Sequence, residues 1–171
     1  RDDKIMNLLM IKDGKNENIE IINESVLQSK IQDICYGENR LEDIAKKDLI
    51  YFFLDILTVD QKSILEKNYP LRLPIFYIPK NTSRPYDKYK YIHYKGEQAP
   101  FVELKIQEAF GLYENQKIGN VALTYILLGP NYRPVQVTKD IAGFWSGSYI
   151  EIRKELKARY PKHDWPEKPS R

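Results

Sequence analysis

Two stretches of the chain interleave basic and aromatic side chains, a combination that can neutralise phosphates and stack on nucleic-acid bases. The first is RPYDKYKYIHYK, residues 84–95, where lysines and tyrosines alternate. In a β-strand, Lys88 and Lys90 would share one face, and Tyr89, Tyr91 and His93 would share the other. The lysines are therefore candidate phosphate contacts. The alternative is an ordinary strand with its tyrosines on the core and its lysines in water.

The second stretch, residues 149–163, has the pattern of a helix followed by a basic turn. Arg153 and Lys157 are four residues apart and are therefore neighbours on the helix surface. We predict nucleic-acid contacts from both stretches and from Arg133, which lies between them in the sequence. These are Arg133, Arg153, Lys154, Lys157, Arg159, Lys162, His163, Lys88 and Lys90. The alternative is a solvated helix face whose charges pair with Glu151 and Glu155.

The segment that follows this helix, KHDWPEKP, combines prolines with Trp165. Proline fixes φ and lacks a backbone donor, so the segment is predicted to be extended. We expect Tyr160 and Trp165 to pack back onto the domain. That packing would hold Lys162 and His163 at the surface.

Several kinds of chemistry are not indicated by this sequence. It contains neither GxxxxGK[ST] nor GxGxxG, so no phosphate-cradling loop is predicted. One cysteine and two histidines, His93 and His163, are too few and too far apart for a zinc site. The stretch GFWSGSY departs from the GxSxG pattern of a nucleophile elbow. We therefore predict no catalytic residue and no metal site in this chain.

Charge is divided unevenly along the chain. Residues 1–70 carry 10 basic and 14 acidic side chains, whereas residues 71–171 carry 17 basic and 10 acidic ones. The second segment therefore favours a polyanionic partner.

A single cysteine, Cys35, excludes an internal disulfide and favours a cytoplasmic location. Without a signal-peptide pattern or a run of membrane-spanning length, we expect a fragment of a longer protein that does not enter a membrane.

The elements that must position these residues change character near residue 70. Residues 1–70 carry apolar side chains at helical spacing, and Thr58 is a predicted N-cap. The later pattern predicts a hairpin over 71–79 and 88–96, a helix over 100–112, and strands over 121–129 and 133–139. A helical turn over DIAGFW, residues 140–145, with Asp140 as its cap, and a final helix follow. This order, β-β-α-β-β-α behind a helical part, predicts an α+β fold with a mainly antiparallel sheet. We predict two domains, a helical segment over 1–70 and an α+β domain over 71–171.

The C-terminal part also resembles a known family. Residues 133–169, RPVQVTKDIAGFWSGSYIEIRKELKARYPKHDWPEKP, are similar to the terminal signature of the bacterial DExH-box ATP-dependent helicases of the HrpB family. In that family an RP-x-Q-x-T-x-D run leads to an FW pair, a spaced tyrosine, a basic helix and RYP-[KR]-H-x-WP-[ED]. The matching positions are Arg133, Pro134, Gln136, Thr138, Asp140, Phe144, Trp145, Tyr149, Arg153, Lys154, Arg159, Tyr160, Pro161, Lys162, His163, Trp165, Pro166 and Glu167. KIQEAFGL, residues 105–112, and LTYILLGPNYRP, residues 123–134, also resemble that family's sequences.

This resemblance implies a bacterial, cytoplasmic parent whose two RecA-like domains bind ATP and Mg²⁺ and lie upstream of this chain. It implies no catalytic role for the matched residues and no cofactor within the fragment. The implied partners are RNA or single-stranded nucleic acid and the upstream helicase domains. We therefore predict an accessory C-terminal domain of an RNA helicase that lacks the ATPase motor and contributes nucleic-acid binding. The alternative is a structural or protein-docking module that packs on the helicase core.

Overall fold

A computed structural model describes residues 24–45, 49–77 and 87–169 of the chain. The helix predicted for KIMNLLMIK, residues 4–12, and most of the loop between the hairpin strands lie outside the described residues. The chain divides into two compact units. The first comprises the chain up to Tyr69 with Tyr94–Glu97 and Lys117–Val121, and the second comprises Pro70–His93, Gln98–Gln116 and the chain from Ala122.

The first unit is built from short helices. They are α1 (Glu24–Cys35), α2 (Leu41–Ala45), a 3-10 turn (Leu49–Phe53) and α3 (Val59–Asn68). Ile34, Phe52 and Phe53 form a buried cluster against which Ile44 packs. Burial of these apolar side chains is the main stabilising contribution here, since short helices are marginal in isolation.

Helix α3 begins at the N-cap predicted from the sequence. The Thr58 hydroxyl accepts a hydrogen bond from the Gln61 backbone N–H at 3.2 Å. In return, the Gln61 side chain accepts one from the Thr58 backbone N–H at 2.9 Å. This reciprocal capping box satisfies two donors that the first helical turn leaves without partners, and the prediction is confirmed.

A tight turn in the first unit requires glycine. Gly119 lies between the two-residue strands β4 (Lys117–Ile118) and β5 (Val121–Ala122), and its φ is 61°. A Cβ atom at this position would lie 2.5 Å from the Tyr51 carbonyl oxygen. Both the left-handed backbone and the close approach therefore exclude a side chain here.

The second unit contains a hairpin and a three-stranded sheet. The hairpin strands, β1 (Leu71–Pro74) and β2 (Tyr89–Ile92), pair antiparallel. The sheet has the order β3-β6-β7, where β3 is Phe101–Lys105, β6 is Thr124–Leu128 and β7 is Pro134–Thr138. Strand β6 is central, parallel to β3 and antiparallel to β7. The predicted α+β fold is confirmed, and antiparallel pairs dominate it.

The helix predicted over residues 100–112 is wrong. This stretch forms strand β3 and then a 3-10 turn, Ile106–Ala109. Val102, Leu104 and Ile106 are all fully buried, which is the two-residue alternation of a strand. The apolar side chains also fit a helical stripe, and pairing with β6 decides between the two patterns.

Two helices follow the sheet, α4 (Ile141–Ser146) and α5 (Tyr149–Arg159). Asp140 caps α4 as predicted, since its carboxylate accepts from the Gly143 backbone N–H at 2.9 Å. Hydrogen bonds from Asn115, and then from that N–H group, lower the pKa of Asp140. The capping carboxylate is therefore ionised at neutral pH and complements the start of the helix.

Aromatic rings join these helices to the rest of the second unit. Tyr149 makes edge contacts with Phe110, Phe144 and Trp145, at centroid separations of 5.1–6.2 Å. The Trp145 indole donates to the Leu112 carbonyl at 2.6 Å. Because these rings are all buried, they fix the direction in which α5 leaves the core.

Candidate nucleic-acid interface

Helix α5 carries four of the nine predicted basic residues, and its opposite face is buried. Tyr149 and Leu156 are seven residues apart and both buried, so the opposite face of the helix points to solvent. Glu151 lies in the first turn and Lys157 in the last, which complements the helix dipole. The basic residues are therefore held outward by a fixed support.

The segment after α5 is anchored by a tryptophan. Trp165 is buried, with 6% of its surface exposed, and its indole N–H donates to the Tyr160 carbonyl at 2.8 Å. The Gln107 amide donates to the Asp164 carbonyl at 3.3 Å, and the Tyr77 hydroxyl donates to the Asp164 carboxylate. The predicted packing of Trp165 on the domain is confirmed.

Helix α5 itself also holds this segment. The Tyr149 hydroxyl donates to the Pro166 carbonyl at 2.7 Å, and Arg153 Nε donates to the Trp165 carbonyl at 2.8 Å. The other end of the Arg153 guanidinium lies 3.5 Å from Glu167. Only 17% of the Arg153 side chain is exposed, so this predicted phosphate contact already serves as a clamp.

Two of the predicted cations form ion pairs on the exposed helix surface. Lys154 pairs with Glu151 at 2.8 Å, and Arg159 pairs with Glu155 at 3.0 Å. More than half of each of these four side chains is exposed to solvent. Exposed pairs of this kind contribute at most about 1 kcal/mol, so a phosphate group can compete for the cations.

Three predicted residues are exposed at the end of α5 and in the turn beyond it. Lys157, Lys162 and His163 have no carboxylate partner within the part of the chain that the structure describes. The His163 ring lies 6.2 Å from the Tyr160 ring, centroid to centroid, and the turn is closed by the His163 N–H bonding the Tyr160 carbonyl. We call the exposed basic residues of this helix and turn the basic surface. It comprises Lys154, Lys157, Arg159, Lys162 and His163.

Arg133 lies in a different element, the turn between β6 and β7. Its carbonyl accepts from the Gly129 N–H at 2.9 Å, and its side chain is exposed. The preceding residue, Tyr132, has a φ of 61° and is 67% exposed, with Lys105 Nζ 4.2 Å from its ring centroid. Sequence reasoning grouped Arg133 with the terminal cations, but it belongs to its own turn.

The two hairpin lysines differ in environment. Lys88 is exposed, whereas only 24% of the Lys90 side chain is exposed. Lys90 Nζ lies 2.9 Å from Asp87 and 2.9 Å from Glu108. Burial lowers the pKa of Lys90, but its hydrogen bonds to Glu108 and Asp87 outweigh that effect and the pKa is raised. Lys90 is therefore charged and already neutralised by carboxylates.

Tyr89 and Tyr91 of the hairpin face solvent, contrary to the alternative that placed the tyrosines on the core, whereas Tyr94 is buried. Tyr89 is 36% exposed and Tyr91 is 46% exposed. The Arg72 guanidinium lies 4.4 Å from the Tyr89 ring centroid and 5.6 Å from that of Tyr91. Sequence reasoning missed Arg72, although its place opposite Tyr91 in an antiparallel hairpin was a usable signal.

Other kinds of site are not evident in the described residues. Within those ranges, no three His, Cys, Asp or Glu side chains gather as metal ligands would. A helix long and apolar enough to cross a bilayer is likewise not found among them.

Comparison with known proteins identifies the kind of chain this is. A family model for the C-terminal region of ATP-dependent helicases, HrpB_C, matches residues 30–169. That match spans most of the chain, so the class is a helicase C-terminal region. The chain belongs to the HrpB C-terminal family, and the resemblance drawn from the sequence is confirmed.

Individual relatives are larger proteins. The chain is 44% identical over 81 residues to the ATP-dependent RNA helicase HrpB of Escherichia coli (strain K12), covering 46% of this chain and 10% of that helicase. Among solved structures it is similar to the E. coli DExH-box NTPase HrpB, with 29% identity and a TM-score of 0.47. It is also similar to the E. coli DEAH/RHA helicase HrpB, with 26% identity and a TM-score of 0.36. Both structural matches cover 87% of this chain and 18% of the other. This chain thus spans about a tenth of the curated relative's length.

Proposed function

We propose that this chain is the accessory C-terminal domain of an ATP-dependent RNA helicase and that its basic surface binds nucleic acid. Membership of the HrpB C-terminal family supports the helicase role. The observation that carries the binding role is the exposure of Lys157, Lys162 and His163 on a support fixed by the buried Trp165. Because the backbone that carries these residues is already fixed, binding to phosphates has to order only their side chains and not the whole segment.

In this proposal the chain does not perform the ATPase reaction. ATP and Mg²⁺ belong to RecA-like motor domains of the parent helicase, and RNA is the substrate that the motor moves along. The accessory domain adds contacts to the phosphate backbone, which carry no base specificity. Its contribution is therefore to the affinity and residence of the helicase on RNA.

A salt titration with a single-stranded RNA tests this proposal. Fluorescence anisotropy of a labelled 12-mer with the 171-residue chain should give an affinity that falls steeply with salt, with a log–log slope of about −0.7 per phosphate neutralised. Lys157→Glu with Lys162→Glu should weaken binding at low salt and make the slope shallower by about 1.4, since two phosphate contacts are lost.

The matched control reverses two exposed lysines outside both basic stretches, Lys67→Glu with Lys117→Glu, and changes the net charge equally. Arg153 is left intact, because reversing it would break the clamp on the terminal segment. Equal weakening by both double variants would show that RNA affinity depends on the net charge alone and not on the basic surface. Absence of binding by the unmodified chain at low salt would favour the protein-docking alternative.

A further inference from the structure

The outer face of the β1–β2 hairpin is aromatic and open to solvent. Arg72, Tyr89 and Tyr91 lie on it, because Arg72 pairs with Tyr91 in the strand register and Tyr89 lies two residues before Tyr91 on the same strand. We call these three residues the hairpin platform. Exposed aromatic clusters are uncommon on monomeric proteins and mark binding sites.

Packing against the rest of the unit determines which face of the hairpin is buried. Leu73 and Ile92, on the opposite face, are buried at 4% and 5% exposure. Lys90 lies on that same inner face, where its ion pair with Glu108 at 2.9 Å adds a polar tether. A slip of one residue would bury the tyrosines and expose the two aliphatic residues. The platform is therefore held outward by the packing beneath it.

The platform combines ring faces with an ordered cation. The Tyr89 and Tyr91 rings meet edge to face at 5.3 Å and 76°, and their hydroxyls are 3.4 Å apart. The Arg72 guanidinium lies over both rings and is ordered by them. A planar guanidinium next to exposed rings can stack on a base or bind a phosphate with its donors.

Charge on the hairpin favours nucleic acid as the occupant. The Arg72 side chain is exposed and has no carboxylate partner within the described residues, and the carboxylate of Asp87 is neutralised by Lys90 at 2.9 Å. Aromatic rings beside available cations match a ligand with flat bases and negative phosphates better than they match an acidic or a purely apolar protein surface.

We propose that the hairpin platform stacks the unpaired bases of single-stranded nucleic acid, while Arg72 contacts an adjacent phosphate. This inference rests on the proposed nucleic-acid-binding function and adds the strand preference. Bases inside a duplex are already stacked and paired, so the platform selects single strands.

The test compares two pairs of substitutions on two ligands. Tyr89→Ala with Tyr91→Ala removes the rings, whereas Tyr89→Phe with Tyr91→Phe keeps them. Loss of one stacked base should raise the dissociation constant for a single-stranded 12-mer RNA by at least about fivefold in the alanine variant. Affinity for a duplex of the same sequence should not change, and the phenylalanine variant should bind both ligands like the unmodified chain.

Three outcomes overturn the platform. In the first, the alanine variant binds the single strand normally while Lys157→Glu with Lys162→Glu weakens binding. That result keeps the proposed function and rules out this inference. A loss that is equal on single strand and duplex does the same. Sedimentation velocity supplies the third: if the alanine variant alone is monomeric and RNA affinity is unchanged, the face is covered by a second copy.

A measurement on the unmodified chain guards against a misfolded variant. Amide NMR signals of residues 72 and 88–91 should shift on addition of the single-stranded RNA. Shifts confined to residues 154–163 would place the ligand on the basic surface alone and would exclude the platform.

Discussion

At the scale of single residues, glycine positions give the sharpest prediction. Gly119→Ala should lower the free energy of unfolding by more than about 2 kcal/mol, because left-handed strain of about 1–2 kcal/mol adds to overpacking of about 1–3 kcal/mol. The overpacking arises because the new Cβ would lie 2.5 Å from the Tyr51 carbonyl oxygen. Urea unfolding followed by circular dichroism measures the change.

Gly37 provides the matched control for this substitution. Its φ of 77° is also left-handed, but a Cβ there would meet nothing within 4 Å. Gly37→Ala should therefore cost only the backbone strain, about 1–2 kcal/mol. Equal decreases in the free energy of unfolding of the two variants would show that the contact with Tyr51 does not contribute to the cost.

Residue-level predictions from the sequence succeeded where the physics is local. Thr58 and Asp140 were identified as caps because a short oxygen-bearing side chain reaches the backbone of its own helix. The orientation of Tyr89 and Tyr91 was not local. It follows from the burial of Leu73 and Ile92 on the inner face, to which the ion pair of Lys90 with the sequence-distant Glu108 adds.

At the scale of elements, helix α5 and the segment it holds form one structural piece. Trp165→Ala should lower the free energy of unfolding by about 3–5 kcal/mol, because a buried indole is removed and a cavity is left. Trp165→Phe keeps most of the ring volume but loses the bond to the Tyr160 carbonyl, so it should cost less, about 1–2 kcal/mol.

Urea unfolding of the two variants checks this order, and hydrogen exchange locates the effect. Faster exchange of the amides in residues 160–168 is expected in the alanine variant. If alanine and phenylalanine cost the same, burial of the ring does not anchor the segment.

Element-level prediction from the sequence failed at residues 101–105. Val102 and Leu104 fit a strand, but Val102, Ile106 and Phe110 also recur at the four-residue spacing of a helix face. Parallel pairing with Thr124–Leu128 resolves the ambiguity, and that partner is about twenty residues away in the sequence. The hairpin, β7 and α5 were predicted correctly because their patterns fit one period, and β6 was identified from its continuous apolar run.

At the scale of the whole molecule, buried tyrosines make stability depend on alkaline pH. Burial raises the pKa of Tyr149 to about 12. It also raises the pKa values of Tyr77, Tyr94 and Tyr125. An unfolded tyrosine ionises at about pH 10, so the stabilisation is fully present below pH 10 and is lost as pH rises through the higher folded values.

We therefore expect the free energy of unfolding to fall between pH 10 and pH 12. Tyr149→Phe should cost about 1 kcal/mol at pH 8, through loss of the bond to the Pro166 carbonyl, and should make the alkaline fall shallower. Urea unfolding at pH 8, 10 and 11 measures both effects. Tyr36, 87% exposed, supplies the control, and a Tyr36→Phe variant with an equally altered pH dependence would contradict this account.

The charge division along the chain was also readable from composition, but its arrangement was not. Residues 71–171 carry the excess of basic side chains. The number of charged residues could not show that Arg153 and Lys90 pair with carboxylates within the fold, whereas Lys157 and Lys162 stay exposed. Those assignments depend on neighbours that only the tertiary structure supplies.

The way in which the terminal segment is fastened has an evolutionary consequence. Tyr149, Arg153 and Gln107 grip carbonyl oxygens of the segment, and every amino acid offers the same carbonyl. Lys162 and His163 can therefore diversify among descendants of this chain without altering the path that the backbone follows. Selection can retune what the surface recognises while the architecture beneath it is inherited unchanged.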